Sequence, residues 1–446
     1  MPHRQMLEAL YSAGVAAADP RRAVERSVLQ LALNGRIAVL ALGKAAVGMA
    51  AGATGALRSR DLEVVAALVV SHEPPDAPVA GMEYVTGDHP RPGDNSALAA
   101  DAMSRFVAGA HGSDHALVLL SGGATSLCAA PVDGVSVRAM RETFGLLLDS
   151  GAPITVMNAF RRRILRWAAG RLAVALQPAR VHCLIVSDVI GNDLEAIGSG
   201  PCVPDPLRAD DVLALRQQYG LQSLPHEIVN HLRRTVDGIE AETPKPGNPA
   251  FRLTETAVLL DNAAARSGVR SDAERHGFVM TPPTSLLAGE AAESGRQIAA
   301  ELLALAERGI ALGTDRTQIA VWGGEPVVTI GAGGRGEGGR CQELALACAH
   351  SLHEAGDRAR GISVLAAGTD GRDGPTDAAG AVIDHQTWTR ITAAGRNPAR
   401  DLADHDAYPA LQVVNALFIT GATGTNVNDL VIAAIGGPDR PLSSAP

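Results

Sequence analysis

Two strand-end loops hold the residues whose types and spacing could first do chemistry. In LALGKAAVGMA (40–50), Lys44 follows Gly43 directly at the end of an apolar run, where a helix begins. A lysine at a strand's carboxyl end lies where open α/β sheets bind ligands, although an ordinary loop-edge lysine would look the same. In ALVLLSGGATSL (116–127), a buried run passes into Ser121, Gly122, Gly123, Thr125 and Ser126 and then an apolar helix start. Glycines let backbone N–H groups curl inward, the hydroxyls add donors, and a helix N-terminus adds its positive end, which together suit a phosphate. No G-K-[ST] follows, so this is not a Walker A loop. Capping of a tight turn is the plainer alternative.

Four further segments carry polar chemistry. In CLIVSDVIGNDLEAIGSGPCVPDP (183–206), Asp188 leaves a strand end and Asp193 follows. Carboxylates there suit Mg²⁺, which takes few protein ligands and completes its shell with water and phosphate. In WGGEPVVTIGAGGRGEGGRCQELALACAH (322–350), Gly331-x-Gly333-x-x-Gly336 matches a dinucleotide fingerprint formally. Glycines crowd the whole stretch, so the match is weak. A Gly-rich loop with Gly336, Gly338 and Gly339 presenting Arg340 to an anion is the alternative. Asp370, Asp373 and Asp377 sit in LAAGTDGRDGPTDAAGA (365–381), which lacks the spacing of a calcium loop. ITGATGTNVNDLVIAA (419–434) reads as strand, turn and helix, with Thr423, Thr425 and Asn426 able to bind a polar ligand or to cap. His89, in GDHPRPG, reads as a turn histidine more readily than a catalytic one.

The elements that must position these residues are legible as alternation. RIAVLALG, EVVAALVV, MEYVTG, HALVLLSGG and VHCLIVSDV are strand-like, with helical patterns such as 96–109 and 156–176 between them. Unbroken apolar runs predict strands buried on both faces, hence an α/β fold with mainly parallel sheets. The polar, proline-bearing segment 241–250 predicts a boundary between a Rossmann-like domain (1–240) and a second α/β domain (251–446). There ETAVLLD (255–261), FVMTP, TQIAVWGGE, PVVTIGA (326–332), ISVLAAGTDG and ALFITG resume the strands.

Composition narrows the class. The 446 residues are 46% hydrophobic with net charge −9, so the chain can fill large cores and lacks the basic surplus of a nucleic-acid binder. Only 3% are aromatic beside 48 glycines, which favours sites made of backbone over stacking platforms. No signal peptide or membrane span is expected, and an odd set of five cysteines without C-x-x-C argues for a reducing cytoplasm.

The ordered set LGKAA (42–46), GDHPRP (87–92), LLSGGATSL, SDVIGND, IGSGPCVPDP, LAGEAAESG (287–295), GGE (323–325), GRGEGGRCQE (334–343), AAGTDGRDGPTDAAGA and TGATGTNVNDL resembles glycerate 2-kinase of the MOFRL type, often called hydroxypyruvate reductase. The C-terminal motifs fall within about 317–435. The resemblance implies ATP- and Mg²⁺-dependent phosphorylation of the 2-hydroxyl of D-glycerate, in a two-domain α/β fold with its active site in the interdomain cleft. It places the family's lysine on Lys44 and its arginine on Arg340. Ser121–Ser126 then cradle phosphate, with Gly336, Gly338, Gly339, Thr423, Thr425 and Asn426 as further nucleotide contacts. Asp188, from its place at a strand end and not from the resemblance, is expected to serve Mg²⁺ or hydroxyl activation, beside Asp193. Arg161, Glu325, Gln342 and Asp370 are the expected substrate contacts, and Arg171 remains for carboxylate recognition. Leu165, Ala168, Ala169, Cys341 and Ala422 depart from the family's pattern and leave the acceptor open to a related sugar acid. An NAD(P)H-dependent hydroxypyruvate reductase and a non-catalytic sugar-acid binder are the competing readings. The partners expected are a small hydroxy acid and ATP, with no nucleic acid and no membrane; oligomeric state is not encoded legibly.

Overall fold

Runs of Ile, Leu, Val and Ala bury both faces only when a sheet lies between helices, and the chain uses them in that way. The computed structural model describes residues 3–75, 77–285, 287–311, 316–331 and 336–436. Two compact units result, one of Pro20–Leu260 and one of Met1–Asp19 with Asp261–Pro446.

The first unit is built on β1 (Arg36–Leu42), β2 (Glu63–Ser71), β3 (Glu83–Thr86), β4 (His115–Ser121), β5 (Arg180–Val186) and β6 (Thr254–Leu260). Every pairing is parallel, in the order β3-β2-β1-β4-β5-β6. That order reverses between β1 and β4, the point where α/β sheets open a binding crevice beyond their carboxyl ends. Leu40, Leu42, Val118, Leu120 and Ile185 pack with Met103 and Phe106 of the crossover helix Asp94–Gly109. Each such side chain contributes about 1.5–3 kcal/mol on burial. A second core, including Phe144, Phe160, Ile164, Leu165, Ile228 and Leu232, joins the helices Val137–Asp149, Ile154–Ile164, Ala209–Gln218 and His226–Val236.

Several expectations need correction here. The helix expected over 156–176 is two, Ile154–Ile164 and Arg171–Ala175, because Ala169 and Gly170 turn left-handed with φ 55° and 77°. Segment 241–250 is not the boundary but a strap of the first unit. Glu242 pairs with the buried Arg163 and accepts from Ala209 N at 3.0 Å, while Thr243 donates to buried Asp205 at 2.9 Å. Its polar residues satisfy internal charges, which composition alone could not distinguish from a linker. ETAVLLD therefore forms the edge strand β6, and the division falls at Leu260/Asp261.

The second unit holds β7 (Val279–Met280), β8 (Gln318–Gly324), β9 (Ile362–Gly368), β10 (Gly380–Asp384), β11 (Leu417–Phe418) and β12 (Asp429–Ile435), in the order β11-β10-β9-β12-β8-β7. Only β7 and β8 pair in parallel, so this sheet is mainly antiparallel, against expectation. The loop 369–379 between β9 and β10 contains no helix and is too short for a crossover. Residues 429–435, read as a helix, are a central strand buried on both faces, and 326–331 form no strand. The N-terminal helix Arg4–Ala17 packs on Asn262–Arg275 in the same unit.

Candidate active site

At the switch point of the first sheet, the ends of β1 and β4 are tied together. Lys44 N donates to Gly122 O at 2.9 Å, and Ala45 N donates to Ser121 Oγ at 3.0 Å. Ser121 Oγ in turn donates to Leu42 O at 3.2 Å. Asp188, just past β5, reaches the same loop: a Cβ on Gly122 would lie 1.7 Å from Asp188 Oδ2. Only glycine permits that approach. A Cβ on Gly123 would stand 3.1 Å from His89 Cδ2 and 3.5 Å from Lys44 Cγ. The structure thus brings Lys44, Asp188 and the SGGATS loop together, and adds His89, whose environment the sequence had presented as an ordinary turn.

Hydrogen-bond bookkeeping divides the loop's hydroxyls. Ser121 is buried and spends its hydroxyl on the β1 connection, while Ser126 Oγ donates to Pro90 O at 2.8 Å. Thr125 Oγ1 lies 3.0 Å from Ser199 Oγ. The helix that follows, Ala124–Leu127, is a single turn, so the expected dipole contribution shrinks and the loop's own donors matter more. A small cavity of about 20 Å³ beneath the loop is lined by Thr125, Leu120, Leu165, Trp167 and Ala168, among others, so the departures at 165 and 168 make an apolar wall.

Other expected contacts in this unit separate from the loop. Asp193 is exposed and accepts from Glu195 N at 3.0 Å, closing its own turn. Arg171 is consumed by the carbonyls of Arg162, Leu165, Ala168 and Arg163, and burial lowers its pKa to about 10. It holds the end of helix Ile154–Ile164 and is not available to a carboxylate. Arg161 stacks over Phe144, 5.0 Å from the ring centroid, and its buried Nε has no hydrogen-bond partner among the described residues. Among the described residues no group of three or more His, Cys, Asp or Glu is disposed to hold a metal ion. A single carboxylate at the glycine loop still fits Mg²⁺ that arrives with phosphates supplying its other oxygens.

In the second unit, Arg340 opens the helix Arg340–Ala355 and is clamped by carboxylates. Its Nε and Nη2 donate to the two oxygens of Asp429 at 2.6 and 3.0 Å, and Nη1 donates to Glu325 at 2.7 Å. Asp429 is buried at the start of β12, where its register neighbours are Gly324 and Gly368, leaving room for a guanidinium. Burial opposes the Arg340 charge, but Asp429 and Glu325 outweigh it and raise the pKa. Burial raises the Asp429 pKa against the pull of Arg340. The helix N-terminus is filled by Asp373, which accepts from Cys341 N and Gln342 N at 3.0 and 2.8 Å. Burial and Asp429 push Asp373 up to about 7.

Several second-unit expectations turn out structural. Gln342 is buried and donates to Thr376 Oγ1 at 2.8 Å, so it does not reach outward as a substrate contact. Thr423 Oγ1 donates to Thr369 O at 2.5 Å and Thr425 Oγ1 to Ala18 O at 2.7 Å, interlocking loops. Asn426 is also buried. Asp370 accepts from Arg372 N at 3.1 Å beside this interlock. Gly336 and Gly338 lie against residues 404–408, and Gly339 against Asp373, so their close approaches are to protein. Gly333 of the formal fingerprint lies outside the described residues. Asp429 was missed in the sequence; it stood inside a quoted motif, but nothing in its spacing marked it as the partner of Arg340.

A doubly wound parallel sheet with a polar glycine loop at its switch point, joined in one chain to an antiparallel-sheet unit, defines a two-unit α/β protein of the small-molecule-binding kind. The chain matches the MOFRL family model over residues 318–429 and the model of a domain of unknown function, DUF4147, over residues 6–233. It is similar to the D-glycerate 2-kinase of Thermotoga maritima, at 35% identity over 94% of this chain and 95% of that one. The crystal structure of glycerate kinase from the same organism superposes with a TM-score of 0.82 at 34% identity, covering 96% of this chain and 98% of that one. A relative from Agrobacterium vitis that bears a hydroxypyruvate reductase name is 35% identical over 97% of this chain and 94% of its own. The chain belongs to the glycerate 2-kinase family with a MOFRL C-terminal region. No helix among the described residues is long and apolar enough to cross a membrane.

Proposed function

We propose that the protein transfers the γ-phosphoryl group of ATP to the 2-hydroxyl of D-glycerate, giving 2-phosphoglycerate, ADP and a proton. The observation that carries this is the convergence of Lys44 and Asp188 on the Gly122–Gly123 backbone at the sheet's switch point. Phosphoryl transfer needs positioned charge more than a covalent nucleophile, and that is what such a loop supplies. Lys44 neutralises phosphate oxygens. The loop backbone and Thr125 donate to them. The acceptor's hydroxyl oxygen bonds to the γ-phosphorus as the β,γ-bridging P–O bond breaks, and Asp188 takes or orients the hydroxyl proton. Bound Mg²⁺ would be held by Asp188 and would supply charge neutralisation to the phosphates. In the second unit, Arg340 spends three of its five N–H groups on carboxylates, and among the described residues the other two have no further partner, which leaves them able to meet an anion.

The reductase reading is not favoured. A dinucleotide fingerprint must follow a strand and open a helix, whereas 326–331 form no strand and Asp373 fills the helix N-terminus at 340. ADP release with D-glycerate, measured beside NADH oxidation with hydroxypyruvate, tests the two together. Kinase turnover is expected and should fall by roughly a hundredfold or more in Lys44→Ala, as a lost transition-state charge partner implies. Hydroxypyruvate-dependent NADH oxidation without ADP release would replace the kinase reading, and equal turnover in Lys44→Ala would remove Lys44 from the site.

A further inference from the structure

Ser199 is the middle of three consecutive left-handed residues, with φ of 57° at Gly198, 62° at Ser199 and 62° at Gly200. Glycine adopts that region freely, whereas a residue with a Cβ is strained there, and such strain persists only where the surroundings enforce it. The surroundings do so. Ala169 N donates to Ser199 O at 2.9 Å, Gly170 N to Gly200 O at 2.8 Å, and Ser199 N to Ala196 O at 3.2 Å. Glycine would sit at 199 with less strain, so the backbone does not explain the side chain.

The hydroxyl does. Ser199 is 1% exposed, and its Oγ lies 3.0 Å from Thr125 Oγ1; neither hydroxyl has another hydrogen-bond partner among the described residues. Two hydroxyl protons meet in one hydrogen bond, so one proton is left over. A buried donor must be satisfied, and among the described residues Thr125 is the only group offered to Ser199. Ser199 therefore donates, and the half-buried Thr125 keeps its own proton to give. A hydroxyl that accepts one hydrogen bond is a stronger donor in the next, and an anionic oxygen takes only donors. Ser121 and Ser126, by contrast, already donate to Leu42 O and Pro90 O.

We propose that Ser199 is a positioning residue for phosphoryl transfer, donating from its left-handed turn to Thr125 so that the Thr125 hydroxyl presents its proton to a phosphate oxygen. This rests on reading the 121–126 loop as the phosphate site.

The test compares Ser199→Gly, Ser199→Ala, Thr125→Val and the Ser199→Ala/Thr125→Val pair by steady-state ADP release with D-glycerate and by thermal unfolding. Ser199→Gly relieves the strained φ, so its Tm should equal or exceed that of the wild type. Its kcat should nevertheless fall about tenfold, with KM for D-glycerate within about twofold, the scale of one lost hydrogen bond. Thr125→Val should fall at least as far, and the double variant no further than Thr125→Val. Wild-type kcat in Ser199→Gly with an impaired Thr125→Val would overturn the role of Ser199 and leave the loop reading standing. Wild-type kcat in both would remove the loop reading itself. A lower Tm in Ser199→Gly, or losses that simply add in the double variant, would make the hydroxyl a stabilising contact only and overturn the proposal.

Discussion

At the scale of single residues, the second unit's chemistry turns on Arg340 and the carboxylate beneath it. Removing one partner of a buried pair leaves the other charge unpaired, which costs far more than deleting both. Arg340→Ala should thus destabilise the protein by on the order of 3 kcal/mol, seen as a lower denaturant midpoint, because Asp429 is buried between two glycines. Arg340→Ala with Asp429→Ala should recover most of that loss. A midpoint unchanged in the single variant would mean that Asp429 simply takes up a proton. Any turnover measured on Arg340→Ala must accordingly be read at a temperature where the variant is folded. In the first unit, Gly122→Ala makes a sharper demand, since the new methyl would occupy the place of an Asp188 oxygen. Turnover should drop by roughly a hundredfold or more as the carboxylate is displaced, a misplacement of about 1 Å being enough for that. Near-normal kcat would show that Asp188 is not needed where it stands. Lys44 and Arg340 were legible because each follows a glycine at an element's end. Asp429 and Ser199 were not, because a cross-sheet register and a backbone φ, neither of which leaves a mark in residue spacing, give them their partners.

At the scale of elements, the strands of the first sheet were legible from their apolar runs, while DLVIAAI (429–435) was not. A short, wholly buried run has no periodicity to separate helix from strand, and pairing with β8 and β9 decides it. The far end of the first sheet carries a device that periodicity also hides. His115 of β4 and His182 of β5 stack with ring centroids 5.3 Å apart, Nδ1 of the first 3.1 Å from Nε2 of the second. Asn34 Oδ1 lies 3.2 Å from His115 Nε2, and a Glu255 oxygen lies 3.6 Å from His182 Nδ1. Such an N–H···N contact needs an unprotonated acceptor nitrogen on one ring. Burial lowers both pKa values below 6.5; Asp114 and Glu255 pull the other way, while Arg180 adds to the lowering. Below about pH 6.5 the unfolded chain therefore binds more protons than the folded one, so stability present above that pH is lost as pH falls through the folded values. Asp373, raised to about 7, contributes the opposite slope over the same range, so the pair's share is read by difference: between pH 7 and pH 5.5 the wild type should lose Tm relative to His182→Gln. His231, lowered by burial in the same sense, keeps some slope in the variant. A Tm difference between wild type and His182→Gln that does not change with pH over this range would contradict the assignment.

At the scale of the whole molecule, the chain's order in sequence and its order in space diverge. The second unit is discontinuous, because residues up to Asp19 fold with those after Leu260. The sequence placed these residues with the first domain, and nothing in an amphipathic N-terminal helix says which core will accept its apolar face. The contacts are specific. Tyr11 is buried, donates to Gly368 O at 2.7 Å and meets Phe418 edge-on at 5.0 Å, while Ala18 O receives the Thr425 hydroxyl. Burial and then Asp370 push the tyrosine's pKa up, so it stays a neutral donor. Gly268 lets the N-terminal helix approach, since a Cβ there would fall 2.4 Å from that of Ala17. Tyr11→Phe should therefore cost about 1 kcal/mol, the scale of one buried hydrogen bond. Its signature should be regional, with faster amide exchange in β9 and β12 and unchanged protection in β1, β4 and β5. Gly268→Leu, which drives the two helices apart, should produce the same regional pattern with a larger loss. Equal loss of protection in both units would mean that they unfold as one cooperative body, and loss confined to β1, β4 and β5 would assign the N-terminal helix to the wrong core.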